Sequence, residues 1–214
     1  GNTIPLFVSA TEVYAVGSGT GTSHTAFGKD CGVDLAAGTG NSLFGEGAGA
    51  DVTTGEHNTA VGYRALYQGT TETDDNVAVG FNAMSGAWTT AAVNDCVVVG
   101  SGAGAGALTA TASGLTAVGT SAGAAVTSGA KNTAVGFGAG TALTTSDNNV
   151  AMGYNALYRG TTESDDNVAI GYNAMSGNFT TNAVNDCVVI GSGAGAGTLT
   201  AAASGLTAVG TSAG

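Results

Sequence analysis

The sequence holds one proline, four cations (Lys29, Arg64, Lys131, Arg159), one tryptophan and three cysteines in 214 residues. Each shortage excludes something. Four scattered cations against 15 acidic residues leave a net charge of −11 and cannot form the basic face that neutralises phosphates, so no nucleic acid partner is expected. An anionic membrane surface is disfavoured for the same reason, and no apolar run reaches the length of a membrane span, so membrane insertion is not expected. Cys31, Cys96 and Cys187 are odd in number and too widely spaced for a zinc or redox motif. They read as small buried apolar residues. Charged residues are only 9% while hydrophobic ones reach 43%, the reverse of a disordered chain. The 38 glycines are therefore expected to be positional, and the acid excess to keep an Ala/Gly-rich surface soluble.

What the chain has instead is a repeat. Asn58-Thr59-Ala60-Val61-Gly62 returns, lightly edited, as residues 24–28, 76–80, 132–136, 167–171 and 206–210. The closing glycines are Gly17, Gly28, Gly45, Gly62, Gly80, Gly100, Gly119, Gly136, Gly153, Gly171, Gly191 and Gly210. After the first step their spacing runs 17, 17, 18, 20, 19 twice, so a shift of 91 lays residues 24–123 on 115–214 without a gap. Residues 58–123 and 149–214 share 53 of 66 positions. Residues 1–12, with Pro5, read as a lead-in strand or linker, and residues 13–214 as one repeat domain. Gly1 suggests a fragment or a processed chain, and the sequence stops at Gly214 in the middle of a unit, so further units are expected to follow.

Numbering each unit from its glycine separates the columns. Position −1 is a sizeable apolar residue, such as Val61, Val79, Met152 or Ile170; position −2 is nearly always Ala. Position −4 is often Asn: Asn41, Asn58, Asn76, Asn132, Asn149, Asn167. The alternation fits a strand, whose side chains point to opposite faces in turn, and not a 3.6-residue helical period. The large −1 residues are expected to form the core. The small −2 residues (Ala60, Ala78, Ala134, Ala151, Ala169 and Ala208) are expected to face a second copy of the chain at an oligomer interface. Position +3 is again Ala in ten of twelve units, a second short apolar segment, followed after a few residues by polar turns.

Two short strands and two turns per unit make one coil of an all-β parallel solenoid, about twelve coils stacked some 4.8 Å apart. The Asn column is expected to form a ladder of side-chain amides. Such thin coils bury little apolar surface, which is a second reason to expect a homo-oligomer.

The unit Asn-Thr-Ala-Val-Gly-Tyr-x-Ala-Leu, at 58–66 and again at 149–157 with Val150 and Met152, resembles repeats of phage tail-fibre proteins and of tail-fibre-like bacterial surface proteins. It is also similar to the Ser-Val-Ala-Ile-Gly unit of trimeric autotransporter adhesin heads. The resemblance covers residues 13–214 and implies a left-handed parallel β-roll, three chains side by side, on a virion tail or cell surface. The adhesin repeat is near 14 residues, shorter than these units, which favours the tail-fibre relatives.

Few residues invite chemistry. Asp74, Asp75, Asp165 and Asp166, with Glu72 and Glu163 nearby, are the one candidate metal set, for calcium, although neither an EF-hand nor a nonapeptide calcium repeat is present; a solvated turn is the default. No other cofactor is suggested. His24 and His57 lie at or just before the Asn column and read as substitutes in the ladder. The run Gly100-Ser101-Gly102-Ala103-Gly104-Ala105-Gly106 lacks the Lys and following helix of a phosphate loop and reads as a close-packed strand or turn. Trp88 and its equivalent Phe179 sit in the longest inter-unit turn, candidates for receptor contact or for packing on the roll. Catalytic residues are not expected, because acids duplicated by a repeat do not build a single active site.

The expected function is structural and adhesive: a homotrimeric fibre segment contributing to attachment at a cell-surface carbohydrate or protein receptor. An ice- or surface-binding solenoid is the alternative, weakened by valines interrupting the −3 Thr column. A polysaccharide-cleaving tailspike ranks third.

Overall fold

Among the described residues eleven strands of three residues each form a single parallel sheet in strict chain order. They are β1 (Thr25–Phe27), β2 (Ser42–Phe44), β3 (Thr59–Val61), β4 (Val77–Val79), β5 (Val97–Val99), β6 (Thr116–Val118), β7 (Thr133–Val135), β8 (Val150–Met152), β9 (Val168–Ile170), β10 (Val188–Ile190) and β11 (Thr207–Val209). The computed structural model describes residues 23–68, 72–86, 92–159, 163–177 and 183–214. Every strand is the pentad's middle, and each pairs with the next at identical columns: Thr59, Ala60 and Val61 lie beside Val77, Ala78 and Val79. The chain is thus an all-β parallel solenoid, as the repeat spacing implies. The only helical pieces among the described residues are two single 3-10 turns, Ala110–Ala112 and Ala201–Ala203.

Among the described residues each coil holds one strand, not two. The segment after the glycine takes left-handed backbone at alternate residues: Gly62 (φ 133), Arg64 (φ 51) and Leu66 (φ 52) in one coil, Gly80 (φ 137), Asn82 (φ 51) and Met84 (φ 53) in the next. Within this wall Gly62 N–H turns to the preceding coil, donating to Phe44 O (2.8 Å). Arg64 N–H donates to Glu46 O of the preceding coil (2.9 Å), and Leu66 N–H to Ala83 O of the following one (3.0 Å). Backbone groups are therefore satisfied coil to coil, as a strand would satisfy them.

The two faces of the strand are reversed from expectation. Ala60, Ala78, Ala134, Ala151 and Ala169 are 0% exposed, and Ala208 is 4% exposed, inside the chain's own roll. The −1 column faces out: Phe27, Phe44, Val61, Met152 and Val209 are all exposed. The alanines thus cannot form the oligomer interface assigned to them. The physical reason is thickness. Strand and left-handed wall lie so close that facing positions −2 and +4 are never both large. In the β3 coil Ala60 faces inward and Leu66 fills the space; in the β4 coil Ala78 leaves it to Met84. Where position −2 is large, position +4 is glycine: Leu43 with Gly49, Val98 with Gly104, Val189 with Gly195. A left-handed Leu or Met costs on the order of 1–2 kcal/mol. Burying that side chain returns about 1.5–3 kcal/mol, so packing wins.

The pentad glycine is fixed by its neighbour. A Cβ on Gly62 would lie 2.5 Å from Gly80 O, and the same approach recurs from Gly80 to Gly100 and from Gly136 to Gly153. No side chain fits between coils there, whatever its rotamer.

The Asn ladder is present. Asn58 Nδ2 donates to Asn41 Oδ1 (3.0 Å) and to Thr73 O, while Asn58 Oδ1 accepts from Asn76 N–H and Nδ2 (both 3.1 Å). Asn76 Oδ1 then accepts the backbone N–H of Cys96 (3.0 Å), where the first ladder ends. Asn132, Asn149 and Asn167 repeat the arrangement and end at Cys187 N–H (3.0 Å). All six asparagines are fully buried, so these bonds satisfy amides that would otherwise be orphaned in the core.

Candidate functional site

Asp75 and Asp166 hold a left-handed position (both φ 58) shared with His57, Asp95, Lys131, Asn148 and Asp186, a turn in which Asp and Asn are tolerated. Asp74 and Asp165 use their carboxylates as caps: Asp74 Oδ1 accepts Glu56 N–H (2.8 Å) and Asp165 Oδ1 accepts Asp147 N–H (2.7 Å). This is a second ladder, continued by Asn94, Ser113, Asn185 and Ser204, each accepting an amide of the preceding coil. The two aspartates of each pair thus have structural roles, and no group of three His, Cys, Asp or Glu among the described residues could hold a metal ion.

The histidines part ways. His24 stands in the ladder, its Nδ1 accepting Asn41 N–H at 3.3 Å. His57 points outward, with Nδ1 3.5 Å from Asp75 Oδ1 at the solvent-exposed turn. The cysteines are free and buried, as composition suggested. Burial pushes the Cys31 and Cys96 thiols up to about 11, away from thiolate chemistry. Burial, with Asp34 adding to it, also raises the Asp51 carboxyl. Trp88 and Phe179 lie outside the described residues. The Gly100–Gly106 run is a turn, with left-handed backbone at Gly100, Gly102 and Gly104.

What the sequence reading missed lies on the outside. The outward positions of the eleven strands carry only Thr, Ser, Val, Ile, Met and Phe, without one charge, although the chain has 15 acids. Over a rod of about 50 Å the −1 column makes an unbroken apolar stripe, flanked at −3 by Val, Thr and Ser. Beside it, at position +1, exposed rings stack between coils. Tyr63 and Phe81 lie 5.3 Å apart; Phe137, Tyr154 and Tyr172 follow at 5.3 and 5.2 Å. Phe27 and Phe44 stack likewise within the strand column, at 5.6 Å. Arg64 lies over Tyr63 and Tyr67, at 5.2 and 4.8 Å from the ring centroids. The signal was available: aromatics recur at one column of the repeat.

No helix among the described residues is long and apolar enough to cross a membrane. No protein-family model, curated protein or solved structure matches the chain.

Proposed function

We propose that the chain is a rod-forming segment of a tail fibre or surface adhesin, assembled as a parallel homotrimer outside the cell and contributing to attachment at a cell-surface receptor. The observation that carries this reading is the uncharged outward strand face. A monomer with a net charge of −11 has acids enough to break up such a face, yet no described acid stands on a strand. An exposed apolar stripe of this length is costly in water and marks a surface to be covered. The flat strand face, about 50 Å by 10 Å, approaches the roughly 800 Å² per partner of a stable interface once flanking turns are included. A second copy offers the same flat face at the same coil spacing, and a closed ring of three leaves none of it open. The resemblance of residues 58–66 and 149–157 to tail-fibre repeats points the same way. The structural and capping roles of the acids fit a scaffold rather than a hydrolase.

Light scattering on the purified chain tests the assembly. A mass of three chains and rods of uniform width in electron micrographs are expected. A stable single chain at micromolar concentration overturns the proposal.

A further inference from the structure

The two ring runs end abruptly, and at equivalent places. In the first, Phe81 is the last ring; the next coil carries Ser101 and Gly102 where Phe81 and Asn82 stood. In the second, Tyr172 is the last ring, followed by Ser192 and Gly193. Phe81 and Tyr172 are each 56% exposed, more than Tyr154 inside its run at 45%. The step beyond each is open. A Cβ added to Gly102 would meet only Ser121 Oγ at 3.9 Å, and one on Gly193 only Ser212 Oγ at 3.5 Å. At the opposite end of the first run the equivalent space is filled, since a Cβ on Gly47 would meet the Tyr67 ring at 3.1 Å and Arg64 Cγ at 3.4 Å.

We propose that these two steps are equivalent carbohydrate subsites, each taking the C–H face of one pyranose ring on the free face of Phe81 or Tyr172. The geometry sets the class of ligand. Rings in the run repeat at 5.2–5.3 Å, so the vacant rung beyond the last ring has the thickness of one more ring. Its border is polar: the exposed hydroxyls of Ser101 and Ser192 make no side-chain hydrogen bond within the described chain. A flat apolar face bordered by a free hydroxyl matches a sugar, which presents C–H groups on one side and hydroxyls around its rim. A purely apolar occupant would leave those polar groups dry at about 1–3 kcal/mol each. The steps are five coils apart, about 24 Å along the rod, so a polymeric glycan or a sugar-coated surface engages both and gains avidity.

This inference gives the attachment role of the proposed function its ligand class and rests on that reading for its biological sense. Its test is separate. The intact chain is titrated calorimetrically with a panel of neutral hexasaccharides of glucose, galactose and mannose. One variant removes both walls (Phe81→Ser with Tyr172→Ser). A second fills both steps with the Tyr-Asn pair native to this repeat (Ser101→Tyr, Gly102→Asn, Ser192→Tyr, Gly193→Asn). Both sets use residues that other coils carry at the same columns, so the fold is expected to persist by circular dichroism. At least one hexasaccharide is expected to bind the natural chain, and both variants to lose tenfold or more in affinity. The proposal is overturned if no member of the panel binds at millimolar concentration, if either variant binds undiminished, or if the variants change the oligomer mass, which would make the steps subunit contacts. A monomeric chain that still binds sugar would sink the fibre reading and leave this one standing.

Discussion

Leu43 occupies the space that Gly49 leaves empty: a Cβ on Gly49 would lie 2.8 Å from Leu43 Cδ2. The pair sits across the interior of one coil, and its mirror image is Ala60 with the buried Leu66 one coil later. In these coils the bulk moves from one wall to the other; where both positions are small, as at Ala134 and Gly140, a residue further along such as Leu143 fills the interior instead. Close-packed interiors demand this, because an added methylene has nowhere to go.

Ala60→Leu is therefore expected to cost about 1–3 kcal/mol through overpacking. Adding Leu66→Gly recreates the Leu43–Gly49 arrangement and removes the left-handed Leu66. Urea denaturation should find the double variant more stable than Ala60→Leu alone. Additive losses would refute the exchange.

Asn58→Ala removes the acceptor of two Asn76 donors and a donor to Asn41 and Thr73, all within the core. Orphaned groups of this kind cost about 1–3 kcal/mol each. The midpoint of unfolding should fall more for Asn58→Ala than for Thr59→Val, which the repeat already allows at that column and which should be nearly silent.

Gly136→Ala forces a Cβ to within 2.5 Å of Gly153 O at φ +132. No rotamer relieves a contact between backbone and Cβ, so a loss above about 3 kcal/mol is expected, near the top of the range for single substitutions. A small change in thermal midpoint would mean that the coils can separate locally.

Val118→Asp together with Val135→Asp places two carboxylates on the outward strand face, without touching the core. Circular dichroism should be unchanged while the oligomer dissociates on a sizing column. An unaltered oligomer would move the interface elsewhere.

The Cys96 thiol has a pKa near 11 in the fold against 9.0 for a free thiol, because burial disfavours the thiolate. The stability this carries is complete below about pH 9 and is lost as pH rises toward 11, since only the unfolded chain then ionises the thiol freely. Iodoacetamide at pH 8 should label Cys96 only after denaturation. Rapid labelling of the native chain would contradict its burial.

Much of the fold is legible in the residues because a stacked coil repeats its chemistry at every pass. The glycine spacing marks the coils and the strand ahead of each glycine, though not that the second segment is a left-handed wall instead of a strand, and Asn58 with its equivalents marks a ladder, since a buried amide column can only bond to itself and the adjacent carbonyls. The left-handed Leu66 and Met84 are not legible, because local preference disfavours them and only the core volume they fill overrides it. The ring runs are visible in the sequence as a column, but not their open ends, which depend on Gly102 and Gly193 facing unfilled space.

By itself the sequence determined that this chain is a parallel stack with two alternating faces, one small and one large. Alternation has a period of two residues and is the same whichever face is turned inward. Only the tertiary structure decided that the alanines go in and the valines out. The reason is the closeness of the strand to the left-handed wall: a Cβ on Gly49 would lie 2.8 Å from Leu43, so facing positions are never both large and the −1 residues turn outward.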